Sequence, residues 1–317
     1  MIRLTLVPQK TNIPFMKFRL MAFVLSGFLA ISSLGLFGGI GLNKGIDFEG
    51  GILIEVGTEG PADLSQMRDA LGGLGLGEVA LQEFGAVNDV LIRVERQEGE
   101  APAQQAAVDA VKKALEADNP GISYRRVEFV GPKVSGELVE SALLAVATAV
   151  VAMLLYIWLR FEWQFSVGAV LALVHDVVLT IGFFAITRIE FNLASVAAIL
   201  TIVGYSINDT VVVYDRIREN LRKYKQMPLG DLLSLSINDT LSRTVMTSVT
   251  TLLALAALFF FGGEVIRGFS AAMIWGVVIG TYSSIFIAAP LLLILGLQRS
   301  SRDDEEEAEK EEIRETL

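Results

Sequence analysis

Gly204-Tyr205-Ser206-Ile207-Asn208-Asp209-Thr210, continued by Val211-Val212-Val213-Tyr214-Asp215-Arg216-Ile217-Arg218-Glu219, decides how this chain is read. The stretch closes an apolar run that begins about Phe191. An amide and a carboxylate, Asn208 and Asp209, therefore sit inside what reads as a membrane-spanning helix. A charge at that depth costs about 2.5–3.5 kcal/mol on insertion scales, so it marks a functional site by default. The plainer reading is a helix-end carboxylate paired with Arg216 or Arg218 at the membrane surface. Asp215 suits that reading better than Asp209, because basic residues surround it and the apolar run ends there.

The rest of the chain agrees with a membrane. Of its 317 residues, 52% are hydrophobic, and its mean hydropathy is +0.53. A soluble domain of this size carries more charge and fewer long apolar runs. Leu20 to Ile40 is almost continuously apolar after a basic lead, Met1 to Arg19, with Arg3, Lys10, Lys17 and Arg19. A run of about 20 residues is too long for a signal peptide and long enough to span. Five more runs follow: Leu138–Leu159, Phe165–Ile186, Phe191–Tyr214, Arg243–Phe261 and Phe269–Leu297, the last kinked or ended near Pro290. Residues 215–242 then read as a loop. The net charge of -10 comes largely from residues 302–317, where nine acidic and three basic side chains leave -6. This acidic tail (298–317) reads as solvated, and the acidic total argues against nucleic-acid binding. No cysteine is present, so neither a disulfide framework nor a thiolate metal site is expected.

Between the first and second runs lies a water-soluble insert, residues 41–136. Gly50–Val56 reads as a strand and Leu64–Leu71 as a helix started by Pro61-Ala62-Asp63. Val79–Phe84 and Val90–Arg96 read as strands joined by a turn through Gly85 and Asn88-Asp89. Ala103–Ala117 is helical up to Asn119-Pro120-Gly121, and Ser123–Val130 is a last strand. The order β-α-β-β-α-β is that of a ferredoxin-like unit. The fold class is thus an α-helical integral membrane protein with six transmembrane helices and a small α+β domain between the first two.

Basic residues in short loops fix the orientation. The lead, Arg160, the group Arg216-Arg218-Arg222-Lys223-Lys225, Arg243, Arg299 and Arg302 share one side. The short loops of the other side hold Arg188 and Arg267. Both termini are expected in the cytoplasm and the insert outside the inner membrane.

Within the spans, His175-Asp176 lies near the middle of the third and Asp209 within about two turns of the end of the fourth. Arg243 opens the fifth. Thr240, Thr244, Thr247 and Thr251 share one helix face. These hydroxyls either hydrate a path or satisfy their own backbone. Gly276 and Gly280 read as a small-residue packing face. Ser-Ile-Asn-Asp-Thr occurs twice, at 206–210 and 236–240; the second copy reads as preceding a helix, with Asp239 a loop or helix-start residue. Desolvation favours the neutral form of a buried carboxyl and a nearby cation the charged form. Asp209 facing Arg243 therefore reads as a proton relay, with Asn208, Asp176, His175 and Thr247 as further members. The movement it drives is expected to reach the insert through the first and second helices. His175 is the single histidine and fits either a titrating role or a neutral hydrogen-bonding one. It makes no zinc site, no phosphate loop is present, and no cofactor or catalytic group is expected.

Several ordered elements carry a family resemblance: Gly45-Ile46-Asp47-Phe48-Glu49-Gly50-Gly51 after the first span, Gly131-Pro132-Lys133-Val134 with Glu137-Leu138 before the second, His175-Asp176, Gly204 to Glu219, and Leu241-Ser242-Arg243-Thr244. In these the chain resembles the SecD/SecF family of bacterial protein-export membrane proteins, on its SecF side. The resemblance implies an RND-type transporter fold in the inner membrane. It implies a SecD partner with a further functional carboxylate, the SecYEG channel with its other accessory proteins, an unfolded preprotein in transit and surrounding lipid. It also implies use of the proton motive force, with Asp209 as the essential intramembrane carboxylate and Arg243 its basic partner. Gly45, Asp47, Phe48, Gly50, Gly51 and Gly204 are implied as structural motif residues.

Two other readings remain. A half-transporter for a small molecule or lipid needs a larger external cavity than about 95 residues offer. An intramembrane aspartyl protease would pair Asp176 with Asp209 as a dyad, but its second carboxylate belongs in a Gly-x-Gly-Asp setting, which the chain lacks.

Overall fold

The computed structural model describes residues 11–99 and 101–297. The acidic tail and the first ten residues, with Arg3 and Lys10, lie outside the described residues. Among the described residues, six long helices are apolar enough to cross a membrane. They are α1 (Arg19–Gly39), α5 (Pro132–Arg160), α6 (Trp163–Thr187), α7 (Leu193–Lys223), α8 (Leu229–Phe261) and α9 (Glu264–Ser283), the last prolonged by a π-helical turn, Ser284–Ala288, and α10 (Ala289–Ile294). The wide turn sits just before Pro290, which has no N–H to give to the preceding turn. That is the physical reason for the irregularity expected there.

Between α1 and α5 stand α2 (Ile46–Glu49), β1 (Gly51–Gly57), α3 (Leu64–Gly72), β2 (Val79–Phe84), β3 (Ala86–Val94), α4 (Ala101–Asp118) and β4 (Ser123–Val130). The sheet is antiparallel, in the order β2-β3-β1-β4. Strand alternation explains its two faces. Ile52, Ile54, Val56, Val90, Ile92 and Val94 pack under α3 and α4, against Met67, Leu71, Val108, Val111 and Leu115. Leu53 and Leu91 point the other way and meet Ile46.

Two expectations need correction. The hairpin turns at Gly85 alone (φ +88°), so Asn88 and Asp89 lie inside β3. Their turn propensity is overridden by cross-strand partners: Asn88 bonds the Thr58 carbonyl at 3.3 Å, and Asp89 pairs with Arg125 at 2.6 Å. The supposed loop 215–242 is mostly helix, and only residues 224–228 connect α7 to α8. A buried stripe continues at helical spacing past the hydrophobic run: Ile217 and Asn220 on α7, and Leu232, Leu233, Ser236, Ile237 and Thr240 on α8, are all buried, the Asn220 amide donating to Ser236 Oγ at 2.9 Å. Asp239 accordingly lies within α8, paired with Arg216 at 2.8 Å. Both copies of Ser-Ile-Asn-Asp-Thr are helical. The residues before α1 dock on α8, where the Asn238 amide bonds both the N–H and the carbonyl of Ile13 at 2.9 Å.

The helices bury two apolar clusters. One, around Phe165, Tyr214, Ile217, Leu232, Ile237 and Leu292, lies toward the α7–α8 connection. The other, around Phe184, Ala198, Ile202, Met273 and Val277, lies toward the sheet domain. At α7–α9 the backbones come close: a Cβ on Gly276 would collide with Ile202, and one on Gly280 would lie 3.1 Å from the Ser206 Cβ.

Candidate functional site

Buried polar side chains occupy the bundle interior: Asp176 and Thr180 on α6, Ser206, Asp209 and Thr210 on α7, Thr244 and Ser248 on α8, and Ser283 and Ser284 beside α9. Asp176 is fully buried. Its Oδ2 accepts from Ser206 Oγ at 2.6 Å and Ser283 Oγ at 2.7 Å, and its Oδ1 lies 3.0 Å from His175 Nδ1. Three helices thus converge on one carboxylate. The π-helical turn begins at the next residue after Ser283, and such turns favour functional sites. His175 Nε2 is buried without a partner, and its ring lies beside Tyr282, with centroids 6.3 Å apart. The Tyr282 hydroxyl in turn meets Ser26 on α1 at 2.9 Å.

Asp209 is treated differently. It is 3% exposed, its Oδ2 is buried without a partner, and no hydrogen bond reaches its carboxylate among the described residues. Arg243 is the cation whose charge acts on it, from beyond ion-pair distance. α7 runs 14 residues past Asp209 and α8 begins 14 residues before Arg243. At about 1.5 Å per residue each group stands about 21 Å inside its helix, deeper than the apolar runs alone placed them. Arg243 is exposed on the outside of this chain, with no hydrogen bond or ion pair from its guanidinium among the described residues.

The structure brings together His175, Asp176, Ser206 and Ser283, and separately Asp209 and Arg243. No hydrogen bond joins the two carboxylates, and both Asp176 oxygens are engaged elsewhere. A shared-proton dyad has no support in this arrangement. Asn208 points outward and is exposed. Thr247 bonds the Arg243 carbonyl of its own helix at 3.0 Å, as Thr240 does with the Ser236 carbonyl. Two of the four threonines on that face, Thr240 and Thr247, therefore satisfy their own backbone, whereas the Thr244 hydroxyl is buried and unpaired. Ser283 had no signal in the sequence, whereas Ser206 lay within the opening motif.

The motif after α1 has a structural role. Gly50 (φ +74°) and Gly51 (φ +121°) turn the chain from α2 into β1, where a Cβ would lie 3.1 Å from the Val130 carbonyl oxygen and 2.7 Å from that of Val94. Asp47 Oδ2 accepts from the Leu193 N–H at 2.9 Å, at the first residue of α7. Phe48 packs on Phe191, with centroids 5.6 Å apart, and Gly45 lies so close to Glu190 that a side chain would collide. A Cβ on Gly204 would meet nothing within 4 Å.

A bundle with two carboxylates buried in membrane-length helices, carrying a small βαββαβ domain on one side, defines a multi-pass membrane protein of the transporter-like class. Residues 110–298 match the family model of the protein export membrane protein SecD/SecF C-terminal region, and residues 35–62 match that of the SecD/SecF GG motif. The protein translocase subunit SecF of Cereibacter sphaeroides is 50% identical over 303 residues, 94% of each chain. That of Rickettsia bellii is 48% identical over 292 residues, 92% of this chain and 96% of its own. A solved structure of SecDF, a translocon-associated membrane protein from Thermus, superposes with a TM-score of 0.81 at 33% identity over 94% of this chain. This chain spans 40% of that longer one. The chain belongs to the SecD/SecF family of protein-export membrane proteins, among the SecF translocase subunits.

Proposed function

We propose that the chain is the proton-coupled half of a protein-export motor. In this reading it sits in the bacterial inner membrane with both termini in the cytoplasm and the sheet domain outside. It pairs with SecD beside the SecYEG channel and uses the proton motive force to complete export of unfolded preproteins. The observation that carries it is Asp209: a carboxylate held in a membrane-length helix without a hydrogen bond, within electrostatic reach of Arg243. Protonation of Asp209 would release Arg243, and deprotonation would draw it in. A proton crossing 100 mV yields about 2.3 kcal/mol to bias such a change.

The partner reading rests on what faces outward. Thr201 and Asn208 on α7, and Arg243 and Thr250 on α8, are exposed. Lipid is a poor neighbour for an amide and a guanidinium. A second membrane subunit with its own carboxylate would cover them, and the SecDF match supports SecD in that place.

The test is export by a reconstituted complex with and without a proton gradient. Asp209→Asn and Arg243→Met are both expected to lose the gradient-dependent part while assembly with SecD persists. Full stimulation with Asp209→Asn would overturn the assignment.

A further inference from the structure

The helix that carries Asp209 starts inside a grip formed by the sheet domain. The connection between α6 and α7, residues 188–192, is held on two sides. From the segment after α1, Gly45 N–H bonds the Phe191 carbonyl at 2.9 Å, and Phe191 N–H bonds the Asn43 carbonyl at 2.7 Å. Asn43 Nδ2 bonds the Arg188 carbonyl at 2.9 Å, and Arg188 returns a bond to the Gly41 carbonyl at 2.9 Å. From β3, Arg93 reaches Glu190 at 2.6 Å and the Lys44 carbonyl at 3.1 Å, tying both strands of this contact to the sheet. Asp47 closes the end by accepting from Leu193 N–H, where a negative charge also suits the helix dipole. Asn192 and Ser195 complete the helix start with a reciprocal capping box.

α1 and α5 enter and leave the sheet domain, but their outer faces are largely exposed apolar residues such as Leu20, Val24, Phe28, Leu143 and Leu144. Neither carries Asp176 or Asp209. α7 carries Asp209 16 residues from Leu193, about 24 Å along a continuous helix. This route stands beside the expectation that movement reaches the domain through the first two spans.

We propose that residues 41–48 and Arg93 form the coupling joint between the sheet domain and α7, with Asp47 as the positioning residue that fixes the helix start to the domain. What the joint transmits rests on the function proposed above; that it holds the domain does not.

The chain contains no cysteine, so spin labels go only where they are placed. In the full chain assembled with SecD, Ala106→Cys on α4 and Leu253→Cys on α8 report the domain against the membrane body. Leu171→Cys with Leu253→Cys reports the body alone. Asp47→Ala is expected to widen the first distance distribution at least twofold and leave the second unchanged. Asp47→Asn keeps an acceptor oxygen and is expected to restore the width. Gradient-driven export is expected to fall about tenfold with Asp47→Ala and to recover with Asp47→Asn. Should Asp47→Ala also widen the body pair, Arg93→Gln, which weakens the joint from the sheet side, decides by the same criteria. An unchanged domain distribution, or a widened one with full export, overturns the joint. Full export with Asp209→Asn would instead overturn the proton reading and leave the label test standing.

Discussion

Replacing Gly276 by alanine should pit helix propensity against packing, and the structure says which wins. Gly→Ala inside a helix gains about 1 kcal/mol. At this position the new methyl would fall on Ile202, whose Cγ2 would lie 2.8 Å away and whose Cγ1 and Cδ1 would lie nearer still. Ile202 is 1% exposed, so it has little room to yield. Overpacking of this kind costs about 1–3 kcal/mol. Gly276→Ala should therefore destabilise by up to about 2 kcal/mol. In an Ile202→Ala background the colliding atoms are gone, and the same change should stabilise by about 1 kcal/mol. The two residues should thus couple by about 1–3 kcal/mol in a double-mutant cycle, read from reversible unfolding in mixed micelles at rising SDS mole fraction. Additivity within about 0.5 kcal/mol would refute the reasoning, because it would mean that α7 and α9 do not meet here.

Asp176→Val removes one acceptor from two interhelical bonds. At about 0.6 kcal/mol for an average interhelical bond in a membrane, the loss is about 1 kcal/mol in the same assay, larger than for Asp176→Asn, which keeps an oxygen for one serine. Equal effects would show that the serines are not held by this side chain. Outside the membrane helices, burial, with Glu116 nearby, pushes the Tyr124 hydroxyl up to about 12. The folded form keeps its proton longer than the unfolded one, so this stability is present below pH 10 and is lost as pH rises toward 12. Because the side chain is only partly buried, screening holds the effect to about 1 kcal/mol or less. Tyr124→Phe should flatten that part of the pH–stability profile of the sheet domain, followed by circular dichroism.

The sequence made the apolar runs legible because each span has its own composition, and it made the sheet legible because Ile52, Ile54 and Val56 alternate with residues of the other face. It misplaced the ends of α7 and α8 because apolarity marks membrane passage, whereas the helix continues wherever one stripe stays buried, as Ile217, Asn220, Leu233 and Ile237 do. It missed Ser283 because a serine in an apolar helix looks the same whether or not a carboxylate lies opposite. The joint was invisible for another reason: Asp47 and Leu193 are 146 residues apart, and local periodicity holds no information about such a pair. In the sequence Gly45, Asp47 and Phe48 stand out only as a motif, without the partner that explains them.

The two buried carboxylates show how one bundle can hold a fixed point and a changeable one. Asp176 Oδ2 accepts from a serine on α7 and a serine on α9, and its Oδ1 lies beside His175 of its own helix, so movement of α7 or α9 against α6 must break a bond. Asp209 has none, and the charge that acts on it belongs to a residue on the outer surface of the next helix. A buried charge without a hydrogen bond is costly, and that cost is removed by a proton, by an approach of Arg243 or by a group from a partner. Each of those is an external event. The satisfied site therefore sets where α7 stands, and the unsatisfied site three residues further along sets when it has reason to move.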